Sequence, residues 1–228
     1  MANYFSADLY RFFDELSAHN TRLWFNANKA RYIEVVRDPL SRFIADMQAP
    51  LRDISSNIVA DPRPVGGSMF RIYRDTRFSK DKTPYKTHAA AHFRHIVGRD
   101  VHGPGFYFGI GPNENTVGGG IWRPETAAAR QIRQRIDDRP GEWGKIVGGK
   151  AFKDRFGDLQ GESLKRVPRE YDPDHPFGND LRRKDFIAAI ALTRKQVTGA
   201  DLVEEMIGIY AAMSPLMAFI AKAVGLPW

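Results

Sequence analysis

The feature that most constrains this chain is a change of hydrophobic period partway along it. Up to about Leu51, apolar residues recur every three or four positions, as on one face of a helix. Leu9, Phe12, Phe13 and Leu16 follow Ser6, a residue type that caps helices. Trp24, Phe25, Tyr32, Ile33 and Val36 follow Asn20 and Thr21, either of which can start a second helix. Asp38-Pro39 reads as a restart, a capping carboxylate and then proline at the first helical position, with Leu40, Phe43, Ile44, Met47 and Leu51 lining the next stripe. Beyond this the runs shorten and become aromatic or β-branched: 58–64, 69–78, 88–97, 105–111 and 116–123, separated by Gly, Pro, Asn and Asp. No crossover helix fits between them, so the pairing should be antiparallel, with a hairpin at 111–115.

Helical spacing returns after Pro124, with further short pieces at 143–147, 152–156 and 181–186. One more strand is expected at 187–193, and terminal helices at 201–224 broken into a hairpin near Ser214-Pro215. Helices, then a sheet, then helices define an α+β fold: a central, mostly antiparallel β-sheet with N-terminal and C-terminal helices packed against it. No repeat or flexible linker divides residues 1–228, and one domain is expected. There is no cysteine, which excludes disulfides and thiolate metal sites. The start of the chain lacks a basic segment leading into an apolar run, and the apolar C-terminal stretch is interrupted by Ser214, Pro215 and Lys222. A cytoplasmic protein without a membrane span is the expectation.

The net charge is +7, and its distribution is uneven. Between Met69 and His88 stand six Lys or Arg against two Asp, a local +4. If Phe70–Phe78 is a regular strand, alternation puts Arg71, Tyr73, Asp75 and Arg77 on one face and Arg74 on the other. Guanidinium groups bind phosphate or carboxylate in a planar, two-pronged way, so this stretch is a candidate anion site. Its expected members are Arg71, Arg74 and Arg77, then Lys80, Lys82, Tyr85 and Lys86 on the following loop. Lys165 belongs to a second basic group, with Arg166, Arg169 and His175, on a long connection that would share the cleft if it folded back. Asp75 and His175 are the candidate proton-transfer residues, His175 because its ordinary pKa lies near neutrality.

Plainer readings stand beside these. Arg and Asp so close in sequence can neutralise one another as a structural network. His175-Pro176 can be a turn whose ring bonds a backbone carbonyl. Gly118-Gly119-Gly120 matches no phosphate-binding fingerprint and reads as a bulge or close backbone packing. His88, His92, His95 and His102 have only Asp100 nearby as a carboxylate, so neither a metal site nor a cofactor is expected. Possible partners are an anionic small molecule or, as an alternative, nucleic acid using Tyr73, Phe78, Tyr85, Phe93 and Tyr107 as stacking rings. A scaffold role without chemistry is the third reading.

The run Phe70–Thr87 resembles the signature of DUF2461, a family of conserved hypothetical proteins of bacteria and fungi. Asn20–Lys29, Val117–Pro124, Leu164–Pro168, Tyr171 and Asp174-His175-Pro176 resemble its other motifs. The resemblance spans nearly the whole chain. It implies one compact domain and carries no assigned activity, cofactor or catalytic residue.

Overall fold

The computed structural model of this chain describes residues 3–98 and 103–228. Its first helix, α1 (Ala7–Ala18), begins where Ser6 accepts a hydrogen bond from the Asp8 amide. The second, α2 (Arg22–Ala27), begins where Thr21 accepts one from the Trp24 amide. Helix α3 (Lys29–Tyr32) runs through a π-helical turn (Ile33–Arg37) into α4 (Asp38–Ile54). The restart expected at Asp38-Pro39 therefore does not occur. Proline lacks an N–H and crowds the carbonyl one turn back; here the wider turn, closed by the Asp38 amide on the Ile33 carbonyl, absorbs both without a break.

The sheet has five strands in sequence order, β1 (Ile58–Val59), β2 (Ala89–His95), β3 (Gly105–Gly111), β4 (Glu114–Ile121) and β5 (Phe186–Ala191), every pair antiparallel. Strands β3 and β4 form the expected hairpin, closing at Gly111 opposite Glu114. Between β4 and β5 come α5 (Thr126–Asp138), α6 (Pro140–Val147), α7 (Lys150–Phe156) and α8 (Gly178–Leu181), the last a turn earlier than its sequence pattern indicates. The short helix α9 (Arg194–Val197), with a capping box at Thr193 and Gln196, leads to α10 (Leu202–Ala223). The fold is α+β.

Helix α10 is continuous through Pro215 rather than a hairpin. By length and hydropathy it could cross a membrane, but it packs as a core helix, with Met206, Ile209, Tyr210, Met213, Leu216, Phe219 and Ile220 at most 1% exposed. The Tyr210 ring stacks on Phe106 at 4.4 Å, and its hydroxyl donates to the Tyr107 carbonyl at 3.0 Å. From the N-terminal side, Phe5 and Phe43 meet Phe108 at ring distances of 6.1 and 5.1 Å. Helices from both ends of the chain thus cover the same face of the sheet.

Strand register shows what this does to the two faces. The covered face carries the rung Phe93–Phe106–Gly119–Ala188 and, beside it, Ala91–Phe108–Val117–Ile190. The other face carries His92–Tyr107–Gly118–Ala189 and Arg94–Gly105–Gly120–Ile187. Large rings fill the interior, while small residues dominate the middle of the outer face. Gly120 is there of necessity: its φ is +133°, and a Cβ would lie 2.0 Å from the Phe186 carbonyl oxygen. The glycine run is close backbone packing, as its lack of a phosphate fingerprint implies.

At the end of β4 the chain is fastened by Asp185, which is 2% exposed. Its carboxylate accepts the backbone amides of Arg123 at 2.7 Å and Glu162 at 2.8 Å, joining the segment after β4 to the connection before β5. Replacing it removes two charge-assisted bonds and strands their donors. Asp185→Ala should lower stability by about 3 kcal/mol in urea unfolding. Asp75→Ala, which breaks only a solvent-exposed pair, should leave the urea midpoint at that of the parent.

Candidate functional site

The basic stretch is not a strand. Residues 70–86 form an irregular, doubled-back excursion beside β2, held by isolated bridges from Met69 to Ala91 and Tyr73 to Tyr85. The Phe70 amide donates to the Ala90 carbonyl, Arg74 to Pro84 and Lys86 to Ile72. A continuous strand would need an unbroken row of partners on β2, but beyond Ile72 the segment pairs with its own returning half.

That return is anchored at Tyr85. Its ring stacks on Phe25 at 4.1 Å and is 3% exposed. The Asn20 side chain donates to the Tyr85 carbonyl at 2.9 Å and accepts the Tyr85 amide at 3.1 Å, completing the pairing a neighbouring strand would have supplied. Burial, reinforced by the negative charge an ionised Tyr73 would carry, pushes the Tyr85 phenol above its ordinary value. Tyr85, expected to face an anion, is thus a packing anchor.

The cations largely disperse. Arg77 forks onto Asp75, and the pair is exposed. The Arg77 guanidinium and amide hold the Asp75 carboxyl at about 2, which removes it as a base near neutrality. Arg74 spans Asp81 and the Thr83 hydroxyl. Lys82 donates to the Thr76 carbonyl at 2.8 Å, and Lys80 is exposed. The expectation that Arg71, Tyr73, Asp75 and Arg77 share one strand face fails because no regular alternation exists there.

The second basic group stays elsewhere. The connection pairs back beside the start of β5 through the bridges Gln160 to Ile187 and Ser163 to Arg183, and Lys165 just beyond them is exposed. His175 lies against α5: its Nε2 is 3.7 Å from Asp137, and its Nδ1 accepts the Phe177 amide at 3.0 Å. The imidazole therefore bonds the backbone of its own turn, but as the acceptor of an amide rather than on the carbonyl that the plainer reading expects.

What the fold does build is a cleft of about 480 Å³ on the outer sheet face. Its floor is Ala90, Gly105, Gly118, Gly120 and Ala189; Phe70, Tyr107 and Trp122 form its walls; Lys86, His88, His92 and Gln160 supply polar groups. The floor is low because a larger residue has little room: a Cβ on Gly105 would stand 2.8 Å from the Phe93 carbonyl oxygen. The His92 ring lies nearly parallel to Phe70, 6.4 Å between centroids and 16° between planes. Of the cations expected at an anion, only Lys86 lines this cleft. Its ammonium sits 5.2 Å from the centre of the Phe70 ring and donates to the Arg71 carbonyl at 2.9 Å. Burial first, and the nearby Arg71 charge second, lower its pKa from the ordinary lysine value. Lys86 also borders a smaller, more polar hollow of about 370 Å³ with Asn20, Arg74, Asp81 and Thr83.

The histidines divide differently from their sequence grouping. His88 and His92 line the cleft. His95 is wholly buried, its Nδ1 accepting the Val97 amide and its Nε2 facing the Pro227 carbonyl at 2.8 Å. His102 and Asp100 lie outside the described residues. The cleft was legible only in part, because its floor comes from strands far apart in sequence. The signal available was alternation: His88, Ala90 and His92 fall on the face opposite Ala89, Ala91 and Phe93.

Asp81 is the carboxylate that organises the loop beside this site. The Thr83 amide, Arg74 and the Thr83 hydroxyl, in that order, hold it at about 2 rather than the ordinary 3.8. A carboxyl depressed in the folded state contributes above its free pKa and is lost as the pH falls through the folded one. Backbone NMR shifts of Arg74 and Thr83 should therefore hold steady down to about pH 3 and reach half of their change near pH 2. Asp81→Ala should reproduce the shifted positions at pH 7; an unchanged spectrum would show that the carboxylate does not order the loop.

The family described as conserved hypothetical protein (DUF2461) matches residues 8–219 of the 228. No curated protein and no solved structure matches the chain. The match takes in every strand, the anchoring Asn20–Tyr85 contact and all of the cleft-lining residues, and the chain belongs to the DUF2461 family.

Proposed function

We propose that the cleft binds a small organic molecule with a flat, largely apolar body and one acidic group, a carboxylate or phosphate, that pairs with Lys86. The observation that carries this reading is the position of that ammonium. It stands at the edge of a mostly apolar trough, and among the described residues no carboxylate forms an ion pair with it. A half-buried cation without an acidic partner is costly unless a ligand or water meets it. Cleft volume supports the same reading, since small-molecule sites commonly span about 300–1,000 Å³ and are lined mainly by apolar and aromatic groups. Glycine on the floor and rings on the walls suit a planar ligand lying against the sheet. Arg71, whose charge reaches Lys86, adds positive potential at the same end.

A second reading draws on Phe78, which is 95% exposed beside Arg77 on the loop tip. A ring and a guanidinium facing solvent together are what a single-stranded nucleic acid would stack upon and pair with. That surface lies outside the cleft, so the two readings separate experimentally.

Trp122 at the rim is a native reporter. Quenching of its fluorescence by 2-naphthoate should saturate, while the neutral 2-naphthalenemethanol should bind at least about tenfold more weakly, the worth of one charge-assisted bond. Lys86→Met should remove that discrimination, and Trp122→Phe should remove the signal. Equal binding of the acid and the alcohol would contradict the reading. Oligonucleotide binding that weakens steeply with salt and is lost in Phe78→Ala would favour the second.

A further inference from the structure

The same lysine is built for more than attraction. We infer that Lys86 is an imine-forming residue, whose amine condenses with the carbonyl carbon of a small oxo acid seated in the cleft. This inference rests on the cleft being a ligand site, and it names the substrate class: a carboxylate next to, or one carbon from, an aldehyde or ketone.

Three observations carry it. First, Lys86 is the one lysine among the described residues that lines the cleft; Lys80, Lys82 and Lys165 are solvated on loops. Second, its surroundings favour the uncharged amine. The amine is partly withdrawn from water and Arg71 places a second positive charge nearby; both lower its pKa, against the pull of the Phe70 ring 5.2 Å away, which favours the ammonium. Desolvation and a cationic neighbour are the two devices by which lysines become nucleophiles near neutrality. A permanent carboxylate partner within the protein would undo both, and among the described residues none forms an ion pair with it. Third, the amine is positioned. One N–H is tied to the Arg71 carbonyl at 2.9 Å, which fixes the nitrogen at the cleft wall. The charge of the same residue, which does not itself line the cleft, adds positive potential that draws a carboxylate toward this end.

The chemistry balances without a co-reactant. The ammonium gives one proton to solvent, and the freed lone pair attacks the carbonyl carbon. A C–N bond forms as the C=O π pair moves to oxygen, and one proton passes from the nitrogen to that oxygen. The resulting carbinolamine takes a second proton on its hydroxyl and expels it as water while the nitrogen lone pair forms the C=N bond, and the iminium returns a proton from nitrogen to leave the imine of Lys86. His88, His92 and Tyr107 line the same cleft and are the groups through which those protons can pass.

Reductive trapping tests this on the intact protein. With glyoxylate and sodium cyanoborohydride at pH 7, peptide mapping should show carboxymethylation at Lys86 at least about tenfold faster than at Lys80, Lys82 or Lys165, as expected of a desolvated amine. Saturating 2-naphthoate should protect Lys86 and leave the loop lysines unaffected. Lys86→Arg keeps a cation but has no condensing amine, and it should lose the fast label. Labelling of Lys86 no faster than of the loop lysines, with naphthoate binding intact, would overturn the imine role alone. Loss of both the fast label and naphthoate binding in the parent protein would overturn the ligand site as well.

Discussion

The structure depends on an imbalance between the two faces of one antiparallel sheet. Helices from both ends of the chain bury the face that carries Phe93, Phe106, Phe108 and Phe186, all essentially without exposure. Burial of rings this large, each removing roughly 150–250 Å² from water, supplies the dominant stabilisation. The opposite face is left uncovered across its middle strands, and its central residues are too small to close it. A cleft follows without a second domain or a lid. Tyr107 illustrates the division: its ring lines the open face while its carbonyl receives the Tyr210 hydroxyl from the covered side.

The rim of that cleft is set by a segment that is ordered but not regular. Between Phe70 and Lys86 the chain leaves β2, doubles back on itself and returns at Tyr85, where the Phe25 stack and the two Asn20 bonds fasten it. Along the excursion, charges neutralise locally: Arg77 with Asp75, Arg74 with Asp81. What survives as directed positive potential at the cleft is Lys86 with Arg71 behind it. A local charge of +4 in sequence thus becomes, in space, one ammonium in a largely apolar hollow beside a mostly self-satisfied loop.

Much of the fold was readable because it rests on local rules. Ser6 and Thr21 cap the helices their residue types imply, the strands near 105–111 and 186–191 follow aromatic and β-branched content, and the hairpin falls where its turn residues stand. The misreadings share a cause, which is tertiary context overriding a local signal. Asp38-Pro39 signals a helix start, but the stripe on either side faces one core and the chain stays helical through a π turn. Ser214-Pro215 signals a break, yet Met213 and Leu216 on either side are fully buried and α10 runs on. Met69–Phe78 has strand-like content without a neighbour to pair with beyond Ile72. The cleft was the least legible feature, because Gly105, Gly118 and Ala189 become adjacent only through register. Of the expected site residues, Lys86 alone lines it, and nothing local distinguishes Lys86 from Lys80 or Lys82.

The central claim is that the open sheet face, not the basic loop, is where a ligand sits. Mapping amide shifts by two-dimensional NMR during addition of 2-naphthoate tests it most directly. The account predicts saturating shifts at Ala90, Gly105, Gly118, Ala189 and Lys86, residues joined by the fold but scattered in sequence. Shifts confined to residues 75–82, or none at saturating concentration, would contradict it.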